Sequence, residues 1–253
     1  MSNYFSKFPK VAYRFGNEDQ PVEYQKLSKY SDVIDQIKDR ISTYTEYEIR
    51  DFDRPETLSY RLYGTTDYEW TLFLMNERLR ETGWPLAQQD LIDKIQTDFY
   101  PNYTVKLDVD SAGGVAQYAD LYPKGQEVMV DGRPGVVIRK NLDVGEIVIA
   151  SNDDITGSTS LAYLVQDSDR PLTVNAPLRN TVYEYEGTHH YVNDSDQWVN
   201  IYLDPSSDIV GAIPKTNLEY LVDENDASKR IRLIKKNDIE AVVAEFKRAL
   251  ENN

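Results

Sequence analysis

Cysteine is absent from the 253-residue chain, and histidine occurs only as the adjacent pair His189 and His190. The first absence excludes thiol catalysis, iron–sulfur clusters, cysteine zinc sites and disulfides, and leaves redox compartment without a mark. The second leaves a catalytic zinc short of ligands, because adjacent side chains in a strand point to opposite faces. Long apolar runs are missing too; stretches such as Gly135-Val136-Val137-Ile138 fall far short of a membrane span. Positive charge is scarce. With 28 Lys and Arg against 43 Asp and Glu, the net charge of −15 sets the chain against nucleic-acid phosphates and anionic lipid. The opening Met1-Ser2-Asn3-Tyr4-Phe5-Ser6-Lys7-Phe8-Pro9 has no basic segment leading into an apolar one, so no secretory signal is expected.

Catalytic signatures are equally thin. No Gly-x-Ser-x-Gly elbow occurs, and Gly113-Gly114 lacks the later glycine and Lys-Ser/Thr of a phosphate-cradling loop. The clusters Asn193-Asp194-Ser195-Asp196 and Asp223-Glu224-Asn225-Asp226 lack the glycine and distant glutamate of a calcium loop and read as solvated loop charge. Carboxylate pairs are always to be found among 43 acids, so they carry no signal for glycoside hydrolysis. The expectation is a non-enzyme without metal, cofactor or small-molecule substrate.

What the chain has in quantity is tyrosine, 19 against 7 Phe and 3 Trp. A large apolar ring with a polar tip suits a surface that is wet alone and buried in a complex, and it suits a core whose hydroxyls reach partners.

Periodicity predicts a fold of class α+β. Val33, Ile34, Ile37 and Ile41 recur at helical spacing behind Ser31 and Asp32. A helix opens at Pro55, carries Leu58 and Leu62 on one face, and stops at Gly64. Thr65 or Thr66 then caps a second helix bearing Trp70, Phe73 and Leu74. After Gly83-Trp84-Pro85 a third presents Leu91, Ile92 and Ile95. The last helix sets Ile239, Val242, Val243, Phe246 and Leu250 on one face, with Asn237 and Glu240 as a capping-box-like pair.

The middle is β-patterned: 127–130, a turn at Asp131-Gly132, 136–138, a turn near Gly145, then 147–149. These three strands predict a meander, of the kind found in a small SH3-like barrel. Further strands are expected at 182–185, 198–202 and 231–234, with loops at 151–154 and 204–208. Ser111-Ala112-Gly113-Gly114 reads as a boundary. The expected organisation is an N-terminal arm and helix (1–44), a helical module (45–109), a β-rich insertion (110–226) and a closing strand and amphipathic helix (227–253) that packs back on the core.

The most specific stretch runs from Tyr47 to Asn76: a strand with Ile49, then Asp53-Arg54-Pro55-Glu56-Thr57-Leu58, a helix ending Leu62-Tyr63-Gly64, and a second helix with Trp70 and Leu74 before Asn76. It resembles the LysM module, with inserted residues where a glycan-binding LysM has Gly-Asp-Thr. Asn76 is placed to cap its helix or hold the loop that follows. Arg54-Pro55-Glu56, Leu62-Tyr63-Gly64, Tyr68-Glu69-Trp70 and Gly83-Trp84-Pro85 bring a closer likeness. So do the N-terminal Tyr4-Phe5-Ser6-Lys7-Phe8-Pro9 and the basic strand Lys229 to Ile239 running into the last helix. Together they resemble the LysM-like baseplate wedge proteins of T-even-type contractile-tailed bacteriophages, over the first 107 residues and the last 25 or so.

The resemblance implies a structural virion protein that joins neighbouring wedges into the closed baseplate ring, with no cofactor. Its partners would be other wedge-core proteins, including the lysozyme-like sheath-initiating subunit. It would be assembled in host cytoplasm and reside in the tail baseplate. The LysM likeness by itself implies peptidoglycan binding instead. By exposure and type, the residues expected to meet partners are Tyr4, Phe5, Phe8, Tyr13 and Phe15 of the arm, Arg230, Arg232 and Lys235 of the basic strand, and Phe246 of the end helix.

Overall fold

The computed structural model describes residues 10–13, 22–25, 44–107, 122–141, 144–166, 171–199 and 212–251. Helices and strands are both abundant, so the class is α+β. The chain divides into two units, one of Met1–Ala87 with Glu224–Asn253 and one of Gln88–Asp223.

In the first unit, β1 (Lys10–Tyr13) and β2 (Val22–Gln25) form an antiparallel ribbon. A second antiparallel pair joins residues far apart in sequence: β3 (Tyr44–Glu48) and β13 (Arg230–Ile234), with Ile231 opposite Tyr47 and Leu233 opposite Thr45. Helix α1 (Pro55–Tyr63) starts on Pro55, whose missing N–H costs nothing in a first turn. Thr57 Oγ1 accepts from the Arg54 N–H at 3.0 Å. The helix stops at Gly64, left-handed at φ 82°, whose N–H reaches the Tyr60 carbonyl. A side chain with a Cβ is disfavoured at that φ.

The second helix departs from expectation. Neither threonine caps it: Thr65 Oγ1 accepts from the Asp67 N–H at 3.2 Å, a turn intervenes, and α2 (Trp70–Met75) begins after Glu69 without a side-chain cap. A further short helix, α3 (Glu77–Thr82), follows directly and ends at Gly83. The closing helix α6 (Ile239–Glu251) begins one residue later than Asn237 would place it. Its first bond runs from the Val242 N–H to the Asp238 carbonyl.

Two apolar clusters fill this unit, and α2 contributes to both. Leu72 packs with Ile49, Leu58, Leu79, Ile231 and Leu233. Leu74 and Met75 pack with Ile234, Ile239, Val242, Val243 and Phe246. Helix and strand from the far end of the chain therefore complete both cores.

The second unit opens with α4 (Gln88–Phe99), on which Leu91 and Ile95 are buried. Six strands then close an antiparallel barrel: β4 (Asn102–Leu107), β5 (Glu127–Val130), β6 (Arg133–Asn141), β7 (Glu146–Ala150), β8 (Ser160–Gln166) and β9 (Pro171–Tyr183), in the order β4-β7-β6-β5-β8-β9. The meander is β5-β6-β7. Its first turn has Asp131 at φ 44° and Gly132 at φ 80°, the paired positive angles of a type I′ hairpin. Tyr103, Val105, Val128, Val130, Val137, Ile147, Ile149 and Leu161 line the barrel core. The strand expected over 182–185 ends at Tyr183 and gives way to a 3-10 turn, Glu184–Glu186.

Three more strands, β10 (Thr188–Val192), β11 (Trp198–Val199) and β12 (Ile213–Thr216), make a small sheet with β10 in the middle. Helix α5 (Asn217–Lys229) follows. It overturns the loop reading of 223–226: Asp223, Glu224 and Asp226 are helical and pair with Lys215, Arg78 and Lys229 respectively. The helix expected over 33–41, the boundary at 111–114 and the loop at 204–208 lie outside the described residues, as does the rest of the strand after Val199. No described helix is long and apolar enough to cross a membrane.

Candidate interaction surface

The loop between β3 and α1 is built around Asp53. Its carboxylate accepts from the Tyr47 hydroxyl at 2.8 Å, the Arg50 N–H at 3.1 Å and the Arg61 guanidinium at 3.2 Å, and Arg61 also donates to the Tyr47 hydroxyl at 2.5 Å. The indole N–H of Trp84 donates to the Asp53 carbonyl at 2.7 Å. Burial pushes the Asp53 carboxyl up, but Arg61, the Arg50 N–H and Tyr47 outweigh it and hold the group below the usual range. A carboxylate so stabilised is no general acid at neutral pH.

The other motif residues hold the module together. Leu58 and Leu74 are fully buried, Ile49 nearly so, and Leu62 packs beside them. The Tyr63 hydroxyl donates to the Ile234 carbonyl at 2.9 Å, and burial raises its pKa to about 12. Asn76 both ends α2 and bonds the backbone of Arg232.

The residues expected to face partners separate into three groups. Tyr4, Phe5, Phe8 and Phe15 lie outside the described residues, whereas Tyr13 on β1 is 56% exposed. Arg230, Arg232 and Lys235 are exposed, with the Arg232 guanidinium 4.7 Å over the Tyr44 ring. Phe246 is not at the surface. It is 2% exposed and lies 4.7 Å from Trp70, ring centre to ring centre, because its helix turns that face inward.

Sequence reasoning missed two aromatic groups in the second unit. Tyr103, Tyr183 and Tyr185 stack in a row at 5.3 and 5.4 Å, beside a cleft of about 250 Å³ lined by Gln96, Phe99, Tyr100 and Asn102. The two histidines do meet, Nδ1 to Nδ1 at 2.8 Å, and each stacks on another ring at 3.9 Å: His189 on Tyr220 and His190 on Trp198. Burial pushes both below the ordinary histidine value. No group of three or more side chains suited to a metal occurs among the described residues.

Residues 4–104 match the family described as base plate wedge protein 53. Over this span the chain is similar to a phage base-plate wedge protein. The match contains the Asp53 network and Asn76, and it stops before β13 and α6. The likeness supports a structural role in a phage base plate. No curated protein matches the chain.

Proposed function

We propose that this chain joins neighbouring wedges, so that the base-plate ring closes. The observation that carries the reading is that the wedge segment is completed from the opposite end of the chain. β13 supplies the second strand of its sheet, and α6 fills its second core. A body closed on itself in this way is rigid, and a connector must be rigid to fix the spacing of the parts it joins. Around it Tyr13, Arg230, Arg232 and Lys235 face outward. Cations outward on a chain of charge −15 suit an acidic neighbour. The neighbours in this reading are other wedge-core proteins, among them the lysozyme-like sheath-initiating subunit, met during assembly in the host cytoplasm. The arm of Tyr4, Phe5, Phe8 and Phe15 adds contacts, and the β-rich segment 110–226 is an insertion into the wedge fold.

Electron cryo-microscopy of the tail particle tests this. Density for the chain bridging adjacent wedges is the expected result. Density confined to one wedge, with closed rings also formed in its absence, would overturn it.

A second reading is glycan binding by a LysM-like module. The order strand, two helices, strand in β3, α1, α2 and β13 favours it. It predicts pelleting of the purified chain with peptidoglycan, and pelleting at background level would remove it.

A further inference from the structure

Phe52 is the most exposed large apolar side chain among the described residues, at 88%, and its backbone sits at φ 70°. It is the third residue of the turn Arg50–Asp53, closed by the Asp53 N–H on the Arg50 carbonyl at 3.0 Å. Asp51, the second, is not at positive φ. This is the type II geometry, in which the third position ordinarily belongs to glycine or asparagine. A phenylalanine there is unfavourable twice: its Cβ crowds the backbone, and its ring stands in water. It receives nothing in return from its own fold, since it joins neither apolar cluster of its unit.

The turn itself is held firmly. Asp53 is tied by Tyr47, Arg61 and the Arg50 N–H, and Trp84 holds its carbonyl. The ring therefore projects from a pre-organised base, which is how an interface anchor avoids ordering entropy on binding. Its two flanking arginines, Arg50 and Arg54, are exposed and carry no ion pair among the described residues. The nearby Asp51 faces Lys229 at 3.7 Å.

We propose that Phe52 inserts into an apolar pocket on another base-plate protein, and that carboxylates rimming that pocket receive Arg50 and Arg54. Charge selects this occupant: on a strongly acidic chain the turn presents two exposed cations with no ion pair among the described residues, so an acidic protein surface completes it. The inference rests on the base-plate reading and names the contact through which it acts. A local violation of backbone preference with no internal compensation is the pattern expected where function, not folding, sets the residue.

The test supplies the full-length chain in trans to a phage lacking it, as wild type, Phe52→Gly, and Arg50→Glu with Arg54→Glu. Chain per tail particle, infectious titre and the Tm of each purified chain are measured. Phe52→Gly is expected to melt at or above the wild-type temperature, because glycine accepts the turn's φ, yet to enter particles at least tenfold less. The charge reversal is expected to show the same loss. Wild-type incorporation of either variant would overturn the anchor, as would a lower Tm for Phe52→Gly. If the pure wild-type chain self-associates and Phe52→Gly abolishes this, the pocket lies on a second copy and the assignment to another protein is wrong. Absence of the wild-type chain from particles would instead overturn the base-plate reading itself.

Discussion

The side-chain amide of Asn76 pairs with the backbone of Arg232 on both counts: the Arg232 N–H donates to Oδ1 at 2.7 Å, and Nδ2 donates to the Arg232 carbonyl at 2.9 Å. One side chain thus stands where a residue of a neighbouring strand would exchange two hydrogen bonds. Nδ2 also donates to the Leu72 carbonyl at 2.7 Å, so the same amide satisfies an open carbonyl of α2. Helix end and closing strand are thus fastened, although Asn76 and Arg232 lie 156 positions apart in sequence.

Replacing that amide tests the fastening. Asn76→Ala leaves the Arg232 N–H and two carbonyls without their partner, which is expected to cost about 2–3 kcal/mol. Asn76→Asp keeps an acceptor for the N–H but sets a negative charge against two carbonyls, so it is not expected to rescue. Urea unfolding followed by tryptophan fluorescence measures both, and an unchanged midpoint for Asn76→Ala would refute the role.

Phe246→Ala is expected to be the more damaging substitution, at about 3–5 kcal/mol, because it empties a buried site against Trp70 that the surroundings refill only in part. Limited trypsinolysis reads the consequence. Cleavage at Lys247 and Arg248 should accelerate if α6 detaches; an unaltered cleavage rate would show that the helix holds without this ring.

Asp53 sets an acid limit on the first unit. Its carboxyl is held below the ordinary range, so on acidification the unfolded chain binds that proton first. Its contribution is therefore present above the unfolded value of about 4 and is lost as pH falls through the folded one. In Asp53→Asn this part of the slope below pH about 4 is expected to vanish, and stability at pH 7 to drop, since Arg61 loses its charged partner. Urea midpoints between neutral and acid pH decide it.

Glu146 works in the opposite sense. Burial raises its pKa, against the opposing Thr188 hydrogen bonds and the charge of Lys106. Its ionisation therefore costs more in the folded state, and stability falls as pH rises from the unfolded value of about 4.3 through the folded one. Glu146→Gln keeps an acceptor for the Thr188 N–H, now at 3.1 Å from Oε2, and removes the charge. The expected result is a higher Tm at neutral pH and none of that gain below pH about 4. Calorimetry at the two pH values checks it, and a lower Tm at pH 7 would count against it.

The elements legible in the sequence are those whose signals are local. Pro55 and Gly64 bracket α1 because one lacks an N–H and the other tolerates a left-handed backbone. Asp131-Gly132 marks the hairpin because both angles there are positive. The inward face of α6 follows from the spacing of Ile239, Val242, Val243 and Phe246, all buried. The same spacing misled about Phe246: an amphipathic face must be covered, but periodicity does not say by what. Helix α5 went unread for the converse reason. Asn217–Lys229 is acidic, with only Ser228 fully buried, so it shows no apolar stripe. Its charges are matched instead by Lys215, Arg78 and Lys229.

The sequence by itself determined the acidic character, the lack of thiol chemistry, the bracketed helix from Pro55 and the wedge-segment likeness, because composition, caps and motifs need no partners to be recognised. Tertiary structure alone decided that β13 pairs with β3, that Asn76 closes on Arg232, that three further strands join the meander as a barrel, and that Phe52 stands outward on a turn gripped through Asp53. Each depends on which distant segments meet, and long-range pairing is fixed by the summed burial of both partners, which no short window of sequence contains.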